Sequence, residues 1–346
     1  MKAIRFDRFG GPLAVSQVPD PTVPDDGVVV RVCATGLCRS DWHAWQGHDP
    51  DVRLPHVPGH ELAGTVEAVG REVRRWRRGD RVTVPFVSGC GQCEVCAAGD
   101  PQVCPQQYQP GFTGWGSFAE FVALRYADAN LVGLPEAVGF VEAASLGCRF
   151  VTAYRAVAQL ARLQPGEWFA VHGCGGVGLA AVMIAASLGG RVIAVDIRDE
   201  ALALARQFGA EQTVNPAGEG DPVRAIRDLT RGGAAASVDA LGSPATSRNS
   251  ILGLRPRGRH VQVGLLLGKD ADPPLPMGAV IARELQVFGA HGMAAHAYPP
   301  LVEAVVAGRL QPGRLVRRTI GLEEIPAALA AMGDFRDPGV TVVDRG

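Results

Sequence analysis

Trp168-Phe-Ala-Val-His-Gly-Cys-Gly-Gly-Val-Gly178 is the stretch on which the fold turns. A short apolar strand, Trp168 to Val171, runs into Gly173-Cys174-Gly175-Gly176-Val177-Gly178, a G-x-G-x-x-G, and an apolar stretch of helical length follows to Leu188. This is the strand, turn and helix context a dinucleotide-binding motif requires. The glycines permit the tight turn, the approach of backbone to a pyrophosphate and close helix packing, while the helix N-terminus favours the anion. A second strand, Arg191 to Val195, ends in Asp196, where a carboxylate can grip both ribose hydroxyls and repel a 2′-phosphate, which favours NAD over NADP. Arg198 keeps NADP open, because a guanidinium stabilises a phosphate.

From Pro165 onward strand and helix alternate, with short strands expected near Thr213, Val238, Val261 and Val287, so the sequence predicts βαβ units and a doubly wound parallel sheet. Before it, MKAIRF, Val28 to Val32, Gly64 to Val69 and Arg81 to Val84 are β-rich runs separated by Gly and Pro, the pattern of a compact, mostly antiparallel domain. After Gly292 two helices, Tyr298 to Val306 and Glu323 to Met332, and a closing strand, Val340 to Val343, are expected to return to that first domain. The predicted division is 1–153 with 293–346 for the β-rich domain and 154–292 for the dinucleotide domain. The Pro-rich patch Asp270 to Pro276 reads as a surface loop.

Composition narrows the function. A chain of 346 residues is long enough for two domains, and 47% hydrophobic with 20% charged residues is globular composition. Lys plus Arg (34) nearly cancels Asp plus Glu (35), so nothing in the charge supports nucleic acid or anionic lipid as a partner. The N-terminal MKAIRFDRFGG carries charges where a signal peptide would be apolar, and the cleanest apolar run, Leu179 to Leu188, is about half a membrane span. A cytoplasmic location is expected, where the eight cysteines serve as metal ligands or core thiols and not as disulfides.

Four of those cysteines, Cys90, Cys93, Cys96 and Cys104, form C-x2-C-x2-C-x7-C among glycines and a proline. Four sulfurs on one loop suit a closed, tetrahedral structural zinc; reduced surface thiols and an iron–sulfur cluster are the alternatives. A second set lies apart in sequence: Cys38 in C-R-S-D-W-H, His60 and Glu61 in G-H-E, and Cys148 in L-G-C. Two thiolates and one imidazole leave a tetrahedral zinc with an open position, the arrangement of a Lewis-acid catalyst, but spacing alone does not bring them together.

The order Cys38, Gly59-His60-Glu61, four-cysteine loop, Cys148 and glycine-rich loop resembles the zinc-dependent alcohol dehydrogenases of the medium-chain dehydrogenase/reductase superfamily along essentially the whole chain. The resemblance implies a GroES-like β-rich catalytic domain and a Rossmann cofactor domain. It makes Cys38, His60 and Cys148 catalytic zinc ligands, Glu61 a carboxylate that approaches the metal during ligand exchange, and Asp41 the residue that orients His60. By the same resemblance Ser40 takes the alcohol proton and His43 carries it toward solvent, while Thr152 and Val177 lie against the nicotinamide. The other histidines, His48 among them, have no motif support and read as structural.

The reaction implied is reversible hydride transfer between a primary or secondary alcohol and NAD. Phe86, Trp42 and Trp45 suggest an apolar pocket, and Asp49 and Pro50 a wide one. Cys148 as third ligand favours simple alcohols over polyols; an amino alcohol or a specialised metabolite stays open, as does a zinc- and NAD-binding redox sensor without turnover. A homodimer or homotetramer is expected, joined through the strand near Val287 to Ala290.

Overall fold

A computed structural model of the chain describes residues 1–218, 220–334 and 339–345. The chain divides into two compact units, Met1–Val151 with Gly292–Gly346, and Thr152–His291.

The first unit holds β1 (Lys2–Arg5), β2 (Ala14–Gln17), β3 (Val28–Leu37), β4 (Glu61–Val69), β5 (Arg81–Thr83), β6 (Phe121–Leu124) and β7 (Val132–Gly133), and is completed by β14 (Val316–Ile320) and β15 (Val340–Asp344) from the end of the chain. Its main sheet runs β14-β15-β3-β4-β5-β7, with β6 also paired to β3. Every pairing in it is antiparallel except β14 with β15. β3 runs five residues past the expected Val32, because Ala34 to Leu37 pair with β15 and Ala34 to Gly36 also with β4. Its sequence, VVVRVCATGL, is buried at every position but Arg31. β-branched residues suit a pleated strand covered on both faces. Val28, Val30, Val32, Leu62, Val66, Val82, Val122 and Leu124 form one core; Ile4, Leu37, Phe118, Ile320, Ile325, Leu329 and Val343 form another.

The second unit holds β8 (Trp168–His172), β9 (Arg191–Val195), β10 (Ala210–Val214), β11 (Ala234–Asp239), β12 (Leu254–Gln262) and β13 (Gln286–Gly289), all parallel, in the order β10-β9-β8-β11-β12-β13. Counted within the unit this is 3-2-1-4-5-6, the doubly wound order whose direction reverses beside the first strand, where such sheets take their dinucleotide. The helix Gly176–Ser187 is buried from Gly178 through Ala185, which is why its sequence is apolar all round. No helix among the described residues is long and apolar enough to cross a membrane.

Candidate active site

β3 and β4 pair antiparallel with Gly36 opposite Glu61, so the end of one strand and the start of the next lie side by side. Cys38 follows β3 and His60 precedes β4, and the pairing brings together two residues that are distant in sequence. The third residue, Cys148, lies in a widened π-type turn, Leu146–Phe150, that continues the helix Phe140–Ser145 packed on both strands. The donor atoms of Cys38, His60, Glu61 and Cys148 all lie within 4.8 Å of one another.

Asp41 organises the first half of this set. It is the third residue of the helix Arg39–Trp45 and accepts the backbone N–H of the N-cap, Cys38, at 2.9 Å, the reciprocal half of a capping box. Its other oxygen meets His60 Nδ1 at 2.7 Å and the Gly59 N–H at 3.1 Å. Both side chains are fully buried. The second ring nitrogen, His60 Nε2, is buried with no hydrogen-bond partner among the described residues. A buried nitrogen left over beside two sulfurs, on a ring whose other nitrogen is fixed by a carboxylate, fits a metal ion. Burial opposes charge on this ring, but Asp41 outweighs it and holds the His60 pKa well above the usual value. Cys38 is the more acidic thiol of the pair, because the Cys148 thiol hydrogen-bonds to it.

Glu61, whose carboxylate lies in this cluster, is also held by Arg149 and the Cys148 turn. Its Oε1 accepts the backbone N–H of Cys148 at 3.2 Å, that of Arg149 at 3.1 Å and Arg149 Nε at 3.0 Å, and its Oε2 pairs with Arg149 Nη2. The carboxylate therefore ties the Cys148 turn to β4. Sequence reading missed Arg149; the available signal was a charge inside the apolar run Leu146 to Val151. It also missed Tyr298, a fully buried residue whose hydroxyl has no partner among the described residues and feels the charges of Cys148 and Glu61.

Ser40 Oγ lies 3.7 Å from Cys38 Sγ. His43 is half-buried one helical turn on, and burial, with the Arg39 and His48 charges, pushes its pKa down to about 4. His48, without motif support, stands against it, with Nδ1 of the two rings 2.9 Å apart. Phe86 and Phe112 close on the His60 ring, centroids 6.0 and 5.1 Å away. Trp42 and Trp45 pack against the core around Leu37 and Leu329, and Trp45 Nε1 donates to the Gly11 carbonyl at 2.8 Å, so the latter anchors the helix. Asp49 caps its own turn, accepting the Asp51 N–H at 2.9 Å.

The four-cysteine loop also converges. Cys90, Cys93, Cys96 and Cys104 place their sulfurs within 4.8 Å of one another, with Cys93 and Cys104 3.7 Å apart and Cys90 and Cys96 4.0 Å apart. The buried side chain of Asn130 clamps the loop start through both the N–H and the carbonyl of Gly89. Four thiols gathered on one loop, with Cys104 also accepting the N–H groups of Cys90 and Gln106, suit a closed tetrahedral zinc.

In the second unit the glycine loop joins β8 to the helix Gly176–Ser187. Gly173 has φ +88°, and a Cβ on Gly178 would stand 1.8 Å from the Gly173 carbonyl oxygen, so the turn admits no side chain there. The first N–H groups of a helix lack intrahelical acceptors, so the start of the helix, Gly176, Val177 and Gly178, has the geometry that favours an anion. Asp196, just past β9, accepts the Cys174 N–H at 2.7 Å and the Arg198 N–H at 2.9 Å, and Arg198 Nε stands 3.4 Å from it. Thr152 is buried in the turn Val151–Tyr154.

Comparison with known proteins matches this geometry. The model of the alcohol dehydrogenase GroES-like domain covers residues 24–136, and that of the zinc-binding dehydrogenases covers 176–307. An alcohol dehydrogenase of Geobacillus stearothermophilus is 36% identical over 84% of each chain, and an NAD-dependent alcohol dehydrogenase of Sulfurisphaera tokodaii is 33% identical over 99% of each. Among solved structures, the alcohol dehydrogenase TADH from Thermus sp. ATN1 superposes with a TM-score of 0.90 at 31% identity, covering 99% of both chains. Two thiols and a carboxylate-held imidazole at the joint of β3 and β4, a four-cysteine loop and a doubly wound dinucleotide fold thus coincide with these matches, and the chain belongs to the zinc-binding alcohol dehydrogenase family.

Proposed function

We infer that this protein interconverts simple primary or secondary alcohols and their aldehydes or ketones, using NAD and a zinc ion held by Cys38, His60 and Cys148. The observation that carries the reading is the buried His60 ring, fixed through Nδ1 by Asp41 while Nε2 is left for a ligand beside two thiols. Zinc bound there supplies Lewis acidity that makes a substrate hydroxyl a stronger acid. Relatives named NAD-dependent alcohol dehydrogenase support the activity.

The protein's own groups do the rest. Asp41 holds the imidazole in one tautomer and orientation, and the Glu61–Arg149 pair keeps the Cys148 turn in register with β4. Phe86 and Phe112 keep water from the His60 face, which strengthens every charge interaction nearby. Ser40 takes the alcohol proton and His43 receives it; burial keeps the ring unprotonated at neutral pH, so it can hold that proton only in passing.

Gly173, Gly175, Gly176, Val177 and Gly178 cradle the pyrophosphate, and Asp196 takes the ribose hydroxyls, with Thr152 and Val177 against the nicotinamide. The Asp196 carboxylate favours NAD over NADP, with Arg198 as its neighbour. Cys90, Cys93, Cys96 and Cys104 hold a second, structural zinc. β13 is the outermost strand of its sheet, with Val287 41% exposed, which supports a homodimer or homotetramer joined edge to edge.

The test is an assay of purified protein, its zinc content measured, for NADH formation from primary, secondary, benzylic and polyol substrates, with NADP in parallel. Turnover of simple alcohols with NAD is expected. Silence across the panel in a protein with full zinc and measurable NAD binding overturns the reading in favour of a sensor without turnover.

A further inference from the structure

The helix Arg39–Trp45 ends in a closure that places His48 back over His43. Gly47 N–H donates to the Ala44 carbonyl at 3.1 Å and His48 N–H to the His43 carbonyl at 3.0 Å, the paired bonds of a Schellman motif. Gly47 supplies the left-handed residue, φ +78°, and a Cβ there would stand 2.9 Å from the Phe9 ring. The backbone thus fixes the fifth residue after His43 above His43 itself, and the two Nδ1 atoms meet at 2.9 Å. Trp42 packs edge-on against both rings, centroids 5.1 and 5.7 Å away, and carries the Arg39 guanidinium 4.5 Å from its own ring centroid. His43 is half-buried; His48 is exposed.

We propose that His48 is the outer station of the proton path, taking from His43 the proton that alcohol oxidation releases and delivering it to water. This rests on the reading of the site as an alcohol-oxidising centre. A hydrogen bond between two Nδ1 atoms requires opposite tautomers, one ring donating and the other accepting. With His43 as donor, its Nε2 is a free base. A proton arriving at that Nε2 makes the ring a double donor; its Nδ1 proton crosses to His48 Nδ1, and the Nε2 proton of His48 leaves to water. One proton enters, one leaves, and both rings end neutral with the hydrogen bond reversed. The pair resets after product leaves when His48 Nε2 takes a proton from water, the Nδ1 proton passes back to His43 and the half-buried His43 gives its Nε2 proton to water, one proton in and one out; carbonyl reduction runs the same path inward. The groups facing His43 suit a neutral relay: Arg39, Cys38 and His48 are the charges it feels, and burial with the first and last of these keeps it unprotonated at neutral pH. His48 acts through His43, not on the substrate, and is a positioning residue in that sense.

Zinc-loaded wild type, H48A and H48Q are compared for alcohol oxidation in a buffer without imidazole, with first-turnover proton release followed by a pH indicator. Proton release and kcat are expected to fall roughly tenfold in both variants with KM values unchanged, and added imidazole to restore H48A while leaving wild type unaltered. Wild-type rates in the variants, or a loss that imidazole does not relieve, overturn the proposal. If wild type oxidises no alcohol, the reading of the site fails on its own. The ring pair is then decided by nitrogen NMR of the labelled histidines: opposite tautomers, with a His43 Nδ1 signal that moves in H48Q, support the pair, and equal tautomers or an unmoved signal overturn it.

Discussion

Asp41 does three jobs with two oxygens: it caps the helix Arg39–Trp45, ties down Gly59 and holds His60 Nδ1. Replacing it by Ala releases the ring and leaves it without its charge partner. D41A is expected to bind zinc about 10- to 100-fold more weakly, since partners of a metal-ligating imidazole act at that scale. Competition with a chromophoric chelator measures it, and undiminished affinity would remove Asp41 from the site. Arg149 raises a different expectation. It and Glu61 are a buried pair, 7% and 0% exposed at the side chain, and removing one partner leaves an uncompensated charge. R149M should lose about 3–5 kcal/mol of unfolding free energy, read by denaturant titration of the zinc-loaded protein. R149M combined with E61Q should recover part of that loss, which plain loss of packing would not allow. Most of this site was legible as residue types and order: Cys38, His60 and Cys148 carry ligand chemistry wherever they fall. Arg149, Tyr298 and His48 were not, because their roles arise from contacts across the fold, with Glu61, near Cys148 and over His43 in turn.

At the scale of elements, periodicity located most strands but passed over β2, β6, β7 and β14, and it set the ends poorly. β3 reaches Leu37 and β4 starts at Glu61 because each end is completed by a neighbour distant in sequence, β15 in the first case and β3 in the second. The helix expected over Glu323 to Met332 is regular only from Ile325 to Ala331, with tighter 3₁₀ turns at Leu322–Glu324 and Met332–Asp334. Pro326 sits where a helix tolerates proline, near its first turn, and that fixes the start. The four-cysteine loop is the element with least regular structure to support it, a short helix Glu94–Ala97 and one 3₁₀ turn, so its shape should depend on the metal. C96S is expected to reduce bound zinc from two ions per chain to one, as follows from two donor groups, and to lower the unfolding temperature in a way that added zinc no longer corrects. Elemental analysis with thermal unfolding reads both; a variant that still holds two ions would show that the loop is not a metal site.

For the molecule as a whole, the second unit carries a built-in acid sensitivity. His172, at the end of β8, and His260, in β12, are each 1% exposed. Burial, and then the neighbouring His260, push His172 from 6.5 to about 3, and burial pushes His260 to about 4 against the hydrogen bond its Nε2 donates to Gln262 Oε1. His260 Nδ1 lies 2.9 Å from Ser250 Oγ and Nε2 3.3 Å from Gln262 Oε1, both uncharged partners, so burial decides the charge and favours the neutral ring. The folded chain therefore refuses protons that the unfolded chain takes up below about pH 6.5. Folded imidazole pKa values below the unfolded one mean that their contribution is fully present above about pH 6.5 and declines as pH falls toward 4 and then 3. At pH 4.5 each ring accounts for roughly 2–3 kcal/mol of lost stability. Zinc ligands lose metal in the same range, so the total decline does not isolate the effect, but a difference does. The stability of wild type minus that of H260N, measured by denaturant titration, should shrink by about 2–3 kcal/mol between pH 7.5 and 4.5, because the asparagine has no proton to take up. A difference that stays constant across that interval would mean that His260 is charged in the folded protein, and with it that the packing between β11 and β12 tolerates a buried cation held only by uncharged partners.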